Sequence, residues 1–535
     1  MRSFQKISLF IVVLLLAFLS CRKSFETDWD VDVEAPIATS KLNIKNFFSD
    51  TLFQSDPTGL LHLAFSKRIA GFALNSLVHL PDTILNYPFA MPPNSKLFLP
   101  PGNSIPSFPQ QQEINFAINN GVELRTAIIN KGQLKMVYSN SYTQPLVFYL
   151  TLPYTTIYGI PFQIAETVYP GVNNSVKYYD ISGYTVKLNG LSGNKINTLV
   201  QNIDVQVASF AQPDTIRGGQ GVYAQISYKD LVPYYVEGYF GQQNINLAYD
   251  SVSLNLSNNL QASNFQLPSA FINFRIVNGF GVDINAQLSN IKSINTYSNT
   301  SVNLNAGSLS NININKAGKT TNFSSPVFPS VKTVSVNYTN SNLKPFLENL
   351  PDYLTYQGNI VVNPLGNVSG SNDFVFLNTS IDIFAEVDMP LQVRANFFKL
   401  ITTSTIDLTK VNQIDNINHG NLFLQATNGF PFNAVLQGYI LNEQKQIIDS
   451  LFSVPGNTIT RGTLDASYVV TSSVYTKLTI PLTESKLKNI KLCRYIKFES
   501  RFDLPVPQPP DIKILDSYDL NLILSVDINY KARKK

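Results

Sequence analysis

GNLFLQATNGFPF, residues 420–432, predicts a strand, a turn and the start of a second strand. Leu422 and Leu424 alternate with polar neighbours, which is typical of a strand that buries one face. Asn428 and Gly429 then favour a tight turn, because both residue types tolerate left-handed backbone. The pattern therefore predicts two strands joined by an asparagine-centred turn.

A second copy of this spacing lies in the first half of the chain. In both copies a glycine precedes apolar residues two and four positions later and an asparagine eight positions later, and this copy runs from Gly132 to Asn140. A Pro-Gly pair closes each unit, at 170–171 and at 455–456. Residues 274–279 form a weaker third copy. The spacing predicts an internal repeat, with chance similarity among asparagine-rich strands as the alternative.

Alternation of apolar and polar residues recurs along the chain. It is clearest in the last predicted strand, where every second residue from 520 to 530 is apolar and these residues share one face, namely Leu520, Leu522, Leu524, Val526, Ile528 and Tyr530. Ile245, Leu247 and Tyr249 are followed by Val252 and Leu254 with a slip of one residue, which predicts a β-bulge or a short turn. Helical spacing is confined to about 342–350 and, more weakly, to 483–492. The predicted fold class is therefore all-β, with tandem antiparallel β-sandwich (Ig-like) modules and one or two short helices.

The repeat and the shifts in composition divide the chain into seven segments. These are a signal peptide (1–20), a lipid-anchored acidic tether (21–35), an N-terminal Pro-rich β region (36–115), a β-sandwich module (116–240), a β module (241–340), a short helix with strands (341–415) and a C-terminal β-sandwich module (416–535). Within the tether, Trp29, Val31 and Val33 alternate with acidic residues, which predicts an edge strand.

Two short motifs carry a resemblance to a known family. A strand that ends in asparagine, a turn containing proline, and then Gly-Ile-Pro-Phe at 159–162 or Gly-Phe-Pro-Phe at 429–432 resemble the LEA14-like, water-stress-hypersensitivity module. The resemblance covers 80–100 residues per copy and implies a small Ig-like sandwich without catalytic residues. The whole chain is similar to the large, uncharacterised β-rich outer-membrane lipoproteins of Bacteroidota, a class that assigns no residue a role.

Charge is scarce in this chain. Of its 535 residues only 14% are charged, and the formal net charge is +4. Nucleic-acid binding requires a concentrated basic surface, so no nucleic-acid partner is expected. The polar residues are mainly Asn, Ser, Thr and Gln, which suits the solvent-facing sides of many strands.

The N-terminus predicts export and lipid attachment. Arg2 and Lys6 precede an apolar run over 7–19, which is too short for a membrane span and is typical of a signal peptide. Leu19-Ser20-Cys21 resembles the bacterial lipobox, in which the cysteine is acylated. Several acyl chains on Cys21 would form a stable anchor, so the predicted location is the outer membrane, facing either the periplasm or the cell surface. An ordinary signal peptide with a chance cysteine is the alternative.

Residues suited to catalysis or metal binding are few. The three histidines, His62, His79 and His419, lie in different regions without ligand spacing, and the second cysteine, Cys493, fits a buried small apolar side chain. His62 and His79 are interpreted as packing or surface residues and His419 as a turn residue. No nucleophile elbow occurs. The sequence therefore predicts no enzyme, no cofactor and no metal site.

Five triplets of Asp, Ser or Thr and an apolar residue resemble the O-glycosylation sequon of exported Bacteroidota proteins. The candidate acceptors are Thr51, Thr83, Thr215, Ser251 and Ser450. If these residues are modified, they must be exposed.

The favoured hypothesis is a non-enzymatic envelope lipoprotein that serves as a binding or assembly component, with envelope proteins or lipid as possible partners. The alternatives are a lipid-handling protein with an apolar groove near 342–350, an outer-membrane β-barrel, and a hydrolase built from distant acids. Sugar binding would depend on the 26 tyrosines, since the chain has one tryptophan.

Overall fold

The computed structural model describes residues 28–47, 53–74, 77–106, 108, 111–254, 260–263, 266–320, 327–393, 397–406, 417–453, 457–503 and 512–533. Within these residues the protein has 38 strands and two short α-helices. The predicted all-β class is therefore confirmed.

The strands follow one another closely along the chain. The first group is β1 (Asp28–Leu42), β2 (Phe53–Ser55), β3 (Leu61–Ala73), β4 (Thr83–Ala90), β5 (Lys96–Leu99), β6 (Gln112–Asn115), β7 (Glu123–Asn140), β8 (Leu146–Ile157), β9 (Ile160–Val168), β10 (Ser175–Asp180), β11 (Thr185–Lys187), β12 (Thr198–Val207), β13 (Asp214–Arg217) and β14 (Gly221–Tyr239). The second group is β15 (Gln243–Ser253), β16 (Leu260–Ser263), β17 (Phe271–Asn278), β18 (Ile284–Asn295), β19 (Thr300–Asn303), β20 (Ile312–Ile314), β21 (Gly318–Lys319), β22 (Val327–Phe328), β23 (Ser330–Asn337), β24 (Tyr353–Val362), β25 (Asp373–Phe376), β26 (Ser380–Pro390) and β27 (Gln392–Val393). The third group is β28 (Phe397–Thr405), β29 (Ile417–Asn428), β30 (Asn433–Leu441), β31 (Ile447–Ser450), β32 (Thr458–Ile459), β33 (Thr463–Leu464), β34 (Val470–Ser472), β35 (Val474–Pro481), β36 (Tyr495–Asp503), β37 (Ile512–Lys513) and β38 (Leu520–Arg533).

The N-terminal module is one ten-stranded sheet that curls around a core. Its main path runs β25-β14-β7-β11-β8-β12-β6. Three further strands pair with members of this path, β4 with β14, β9 with β8 and β10 with β7. Phe116, just after β6, packs edge-to-face on Tyr228 of β14, with ring centroids 5.8 Å apart. Since β6 and β14 lie near opposite ends of the path, this contact closes the sheet over its apolar interior.

The middle sandwich consists of two facing sheets. One has the order β2-β3-β26-β17-β23, and the other has the order β15-β24-β18-β19, with β20 paired to β18. The Tyr356 hydroxyl of β24 donates to the Ile69 carbonyl of β3 across the interior at 2.9 Å. This bond ties the two sheets together through a buried polar group.

The C-terminal sandwich joins the first and last described strands. Its sheets are β1-β38-β29-β35 and β16-β28-β36-β30-β31, with β32 on β30. Strand β1 pairs with β38 from Asp28 opposite Arg533 to Leu42 opposite Leu520. The edge strand predicted around Trp29 is therefore present, and it belongs to the C-terminal sheet.

The three modules draw strands from distant parts of the chain. Of the segment 36–115, β2 and β3 lie in the middle sandwich whereas β4 and β6 lie in the N-terminal module. Strand β16 crosses from the segment 241–340 into the C-terminal sandwich. Local alternation cannot reveal such pairing, because it indicates which face a strand buries but not which strand lies beside it.

The predicted asparagine-centred turn occurs in all three modules. Asn428 Oδ1 accepts the Phe430 N–H at 2.9 Å, and Asn428 Nδ2 donates to the Phe432 carbonyl at 2.9 Å. Asn278 makes the same pair of bonds, with the Phe280 N–H at 3.0 Å and the Val282 carbonyl at 2.8 Å. We call these turns the asparagine corners.

The third asparagine corner lies in the N-terminal module. Asn140 accepts from the Tyr142 N–H at 2.9 Å and donates to the Gln144 carbonyl at 3.0 Å. All three asparagines are at most 1% exposed, and the aromatic residue two positions later is buried in each case. In the middle and C-terminal sandwiches the corner carries the chain from one sheet to the facing one.

The two Gly-x-Pro-Phe motifs do not occupy equivalent places. Gly429 follows Asn428 at a corner, whereas Gly159 adopts φ +81° at the tip of the β8–β9 hairpin. Their similarity in sequence therefore reflects two different turns.

The two helices lie where the sequence predicts them. Helix α1 (Leu343–Glu348) buries Leu343, Phe346 and Leu347 in the middle sandwich. Helix α2 (Glu484–Leu492) begins after Thr483, whose hydroxyl accepts the Lys486 N–H at 3.3 Å. Neither helix has the length or the apolar character needed to cross a membrane.

Candidate functional site

Several predicted site residues lie outside the described part of the chain. These are Cys21, the lipidation candidate, and Thr51, one of the glycosylation candidates. Both stay predictions from the sequence.

The other four glycosylation candidates are surface residues of differing exposure. Ser251 is exposed, whereas Thr83, Thr215 and Ser450 are half-buried. In three of the triplets the Asp carboxylate accepts the N–H of the following residue, at 2.6 Å for Thr215 and 2.7 Å for Ser251 and Ser450. Ser251 is therefore the most exposed of these four candidate acceptors.

The histidines and the described cysteine lie apart from one another. His79 is exposed, and His419 is also exposed but lies in strand β29 rather than in the predicted turn, because it pairs with Asn529. Cys493 is 1% exposed, and burial raises the pKa of its thiol to about 11. Among the described residues no three His, Cys, Asp or Glu side chains are close enough together to hold a metal ion.

His62 has acidic neighbours that the sequence did not indicate. Its Nδ1 lies 2.8 Å from Asp388 Oδ1, and its Nε2 lies 3.6 Å from Asp56 Oδ2. Asp388 comes from β26, far away in sequence. The cluster places one imidazole beside two carboxylates, with His62 on β3 next to the edge strand β2.

A concave surface lies on the outer side of the middle sandwich, and we call it the amide depression. It has a volume of about 490 Å³. Strands β15, β18 and β24 supply most of its lining. The eleven lining residues are Asn246, Leu247, Ala248, Tyr249, Gln287, Leu288, Ser289, Ser310, Gln357, Gly358 and Asn359.

Strand register aligns the amide side chains of this depression. Asn359 of β24 lies opposite Asn246 of β15 on one side and Gln287 of β18 on the other. Residues directly opposite in an antiparallel sheet share a face and contact one another. Three amides therefore form one row across three strands.

Further amides continue this surface beyond the row. Gln287 Nε2 donates to Asn285 Oδ1 at 3.2 Å, and Asn285 Nδ2 donates to Asn313 Oδ1 at 2.9 Å. Asn290 Nδ2 donates to Gln357 Oε1 at 2.5 Å. These bonds fix several side chains in place and orient the depression before anything binds.

Two bulges and a glycine give the sheet its local shape. The register shifts between Leu247 and Asp250 on β15, which overlaps the slip predicted between Tyr249 and Val252, and between Ser289 and Lys292 on β18. Gly358 of β24 lies opposite Leu247 of β15, next to the first of these shifts, and a Cβ atom added to it would lie 2.4 Å from the Gln287 carbonyl oxygen. The strands approach closely here because residue 358 has no side chain.

Two groups of the depression have few protein contacts. Tyr249 is 58% exposed. Asn359 Oδ1 is buried and has no hydrogen-bond partner within the described structure. An acceptor without a donor costs about 1–3 kcal/mol, so a ligand hydroxyl that reached it would offset that cost.

Two apolar interior cavities within the described residues are much smaller. One, of about 30 Å³, lies in the N-terminal module, and the other, of about 40 Å³, lies beside Phe346 of α1 in the middle sandwich. A single water needs about 10–15 Å³, so these cavities cannot hold an acyl chain. Helix α1 therefore fills the core where the lipid-handling alternative expected a groove.

Comparison with known proteins gives no relative of assigned function. No family model matches the chain, and none of the curated proteins matches it. The LEA14-like resemblance therefore has no support from a family match.

Two solved structures illustrate how distant the structural likenesses are. A candidate secreted protein from Parabacteroides distasonis is 12% identical with a TM-score of 0.28, over 55% of this chain and 88% of that one. The infectious bursal disease virus Gt strain structure is 9% identical with a TM-score of 0.12, over 92% and 86% of the two chains. Both scores are below 0.5, so neither likeness bears on fold or function.

Proposed function

We propose that this protein is a non-enzymatic lipoprotein of the outer membrane, and that it acts as a binding or assembly component through the amide depression. The observation that carries the binding role is the depression itself. It is wide, its Gln287 and Gln357 side chains are held by hydrogen bonds to neighbouring amides, and its lining contains no Asp, Glu, His, Lys or Cys. Those are the side chains most often used as catalytic bases and nucleophiles, so this lining supports binding over catalysis.

The anchoring part of the proposal depends on the N-terminal sequence. The run Leu19-Ser20-Cys21 provides an acylation site, and β1 begins at Asp28, only a few residues later. A lipid on Cys21 would therefore hold the C-terminal sandwich close to the bilayer, because seven residues span at most about 25 Å. This arrangement would leave the middle sandwich further along the molecule as the part available to partners.

Fatty-acid labelling tests the anchor. The full chain, expressed in a bacterial host fed an alkyne-tagged fatty acid, should carry the label and sediment with the outer membrane. Cys21→Ser should lose both properties. Cys493→Ser is the matched control and should retain both, because the Cys493 thiol is buried against the Tyr495 carbonyl at 3.2 Å. A labelled Cys21→Ser variant would contradict the proposal.

A further inference from the structure

We infer that the amide depression binds a neutral oligosaccharide. The inference rests on the proposed binding function of this surface and names the chemical class of its ligand. It follows from three properties of the depression, namely its charge, its hydrogen-bonding groups and its exposed aromatic ring.

The side chains that line the amide depression are uncharged. None of its eleven residues is Asp, Glu, Lys, Arg or His. A charged ligand would lose solvation on entering without gaining an ion pair, which is costly. Phosphate-bearing ligands need Lys or Arg, so nucleic acids and lipid headgroups are poor matches. The ligand should therefore be uncharged.

The hydrogen-bonding groups match hydroxyls. A side-chain amide offers both a donor and an acceptor, and a hydroxyl is likewise both. Asn246, Gln287, Gln357 and Asn359 converge on the depression from three strands. A ligand with many closely spaced hydroxyls can satisfy several of them together.

Asn359 provides a specific point of contact. Its Oδ1 has no partner within the described structure, although its neighbours Gln287 and Gln357 are hydrogen-bonded. The terminal torsion of asparagine is broad, so a small rotation can turn this oxygen toward a ligand. A sugar hydroxyl would then supply the missing donor.

Tyr249 supplies an apolar surface beside these amides. Its ring is 58% exposed and follows Leu247 and Ala248 along the rim. Sugars combine hydroxyl edges with C–H faces, and an aromatic ring offers a large, rigid area for such a face. The volume of about 490 Å³ lies within the range of small-ligand sites.

An extended peptide is the competing occupant, since its backbone also pairs with amides. Peptides that bind β-sheets usually add a strand at a sheet edge. The amide depression lies on a sheet face, because β24 is flanked by β15 and β18 and, although β15 is the edge strand, its Asn246 lies in the row of amides across that face. The geometry therefore favours the oligosaccharide.

Titration calorimetry of the detergent-solubilised full chain tests the inference. The probes are neutral gluco-, manno-, galacto- and xylo-oligosaccharides in α and β linkages, uronic-acid oligosaccharides of equal length, and an extended Asn-rich peptide. At least one neutral sugar should bind saturably and be recovered uncleaved. Binding of none of the neutral sugars, or tighter binding of a uronate or the peptide, would overturn the inference.

Two tyrosine variants locate the binding. Tyr249→Ala should weaken neutral-sugar binding about tenfold, the effect of removing an aromatic anchor. Tyr297→Ala is the control, because Tyr297 is 67% exposed at the far end of β18, beyond Asn295, and should leave Kd unchanged. If both variants bind the neutral sugar equally tightly, the sugar binds outside the amide depression. Labelling of Cys21 in the same preparation separates failure of this inference from failure of the anchor.

Discussion

The asparagine corners and the amide depression use the same chemical group in opposite ways. At the corners, Asn140, Asn278 and Asn428 are buried, and both ends of each amide are hydrogen-bonded to the backbone. In the depression, the amides lie on an outer sheet face, Gln287 and Gln357 bond to neighbouring side-chain amides rather than to the backbone, and Asn359 Oδ1 has no partner within the described structure.

This difference separates a folding role from a binding role. A buried amide with complete hydrogen bonding specifies one turn geometry, because removing it leaves backbone groups unpaired. A surface amide with spare bonding capacity contributes little to the fold and remains available to a ligand. The following changes test this separation, from the largest expected effect to the smallest.

Asn428→Ala should destabilise the C-terminal sandwich by about 2–4 kcal/mol, since the Phe430 N–H and the Phe432 carbonyl would both lose their partner inside the core. Urea unfolding followed by tryptophan fluorescence measures this, because Trp29 is the chain's one tryptophan and lies on β1 of that sandwich. Asn421→Ala, on the half-buried side of the same strand, is the control. Equal losses in the two variants would mean that the corner has no special role.

Gly358→Ala should destabilise the middle sandwich by about 1–3 kcal/mol, because the added methyl would meet the Gln287 carbonyl oxygen at 2.4 Å. It should also weaken ligand binding by spreading β15 and β18. Gly307→Ala has open space around the added Cβ and serves as the control. Calorimetric melting of both variants checks the prediction, and matching melting temperatures would refute it.

Asp373→Asn should stabilise the protein at pH 7. Asp373 is 2% exposed and accepts from Asn363 Nδ2 at 3.1 Å, and burial raises the pKa of its carboxyl above 3.8. The folded state therefore binds a proton more readily than the unfolded state, so this carboxyl lowers stability as the pH rises through the raised pKa. An asparagine keeps the acceptor without the charge.

Measuring the free energy of unfolding at several pH values tests whether the Asp373 carboxyl lowers stability as the pH rises. The stability difference between Asp373→Asn and the wild type should be largest near pH 7 and should shrink as the pH approaches 3.8, measured by urea unfolding across that range. A variant that is less stable than the wild type at pH 7 would show that the carboxylate is stabilising.

Asn359→Leu should leave the free energy of unfolding unchanged or raise it by up to about 1–3 kcal/mol, because the substitution removes a buried acceptor that has no hydrogen bond within the described structure. Thermal unfolding of the variant measures this. A loss as large as that of Asn428→Ala would show that the depression amides hold the fold.

Much of the architecture could be predicted from local sequence. The period-two alternation identified strands such as β38, the spacing of Leu343, Phe346 and Leu347 identified α1, and the recurrence of asparagine after an apolar strand identified the corners. Each of these signals depends on residues within one strand or turn, so a single sequence contains it.

The amide depression could not be predicted in this way. Asn246, Gln287 and Asn359 appear in the sequence as ordinary solvent-facing residues of three separate strands. Only the register of β15, β24 and β18 places them in one row, and that register depends on pairing between residues 113 positions apart (Asn246 and Asn359) and 72 positions apart (Gln287 and Asn359). The neighbours of His62 were missed for the same reason, since Asp388 lies 326 positions away.

One measurement tests the central claim most directly. It compares the sugar Kd and the melting temperature of a variant carrying Asn246→Ala, Gln287→Ala and Asn359→Leu with those of the wild-type chain. The predicted result is a melting temperature within a few degrees of the wild type together with loss of sugar binding. A variant that melts far earlier, or that binds the sugar as tightly as the wild type, would contradict the division between corner amides that fold the chain and surface amides that bind.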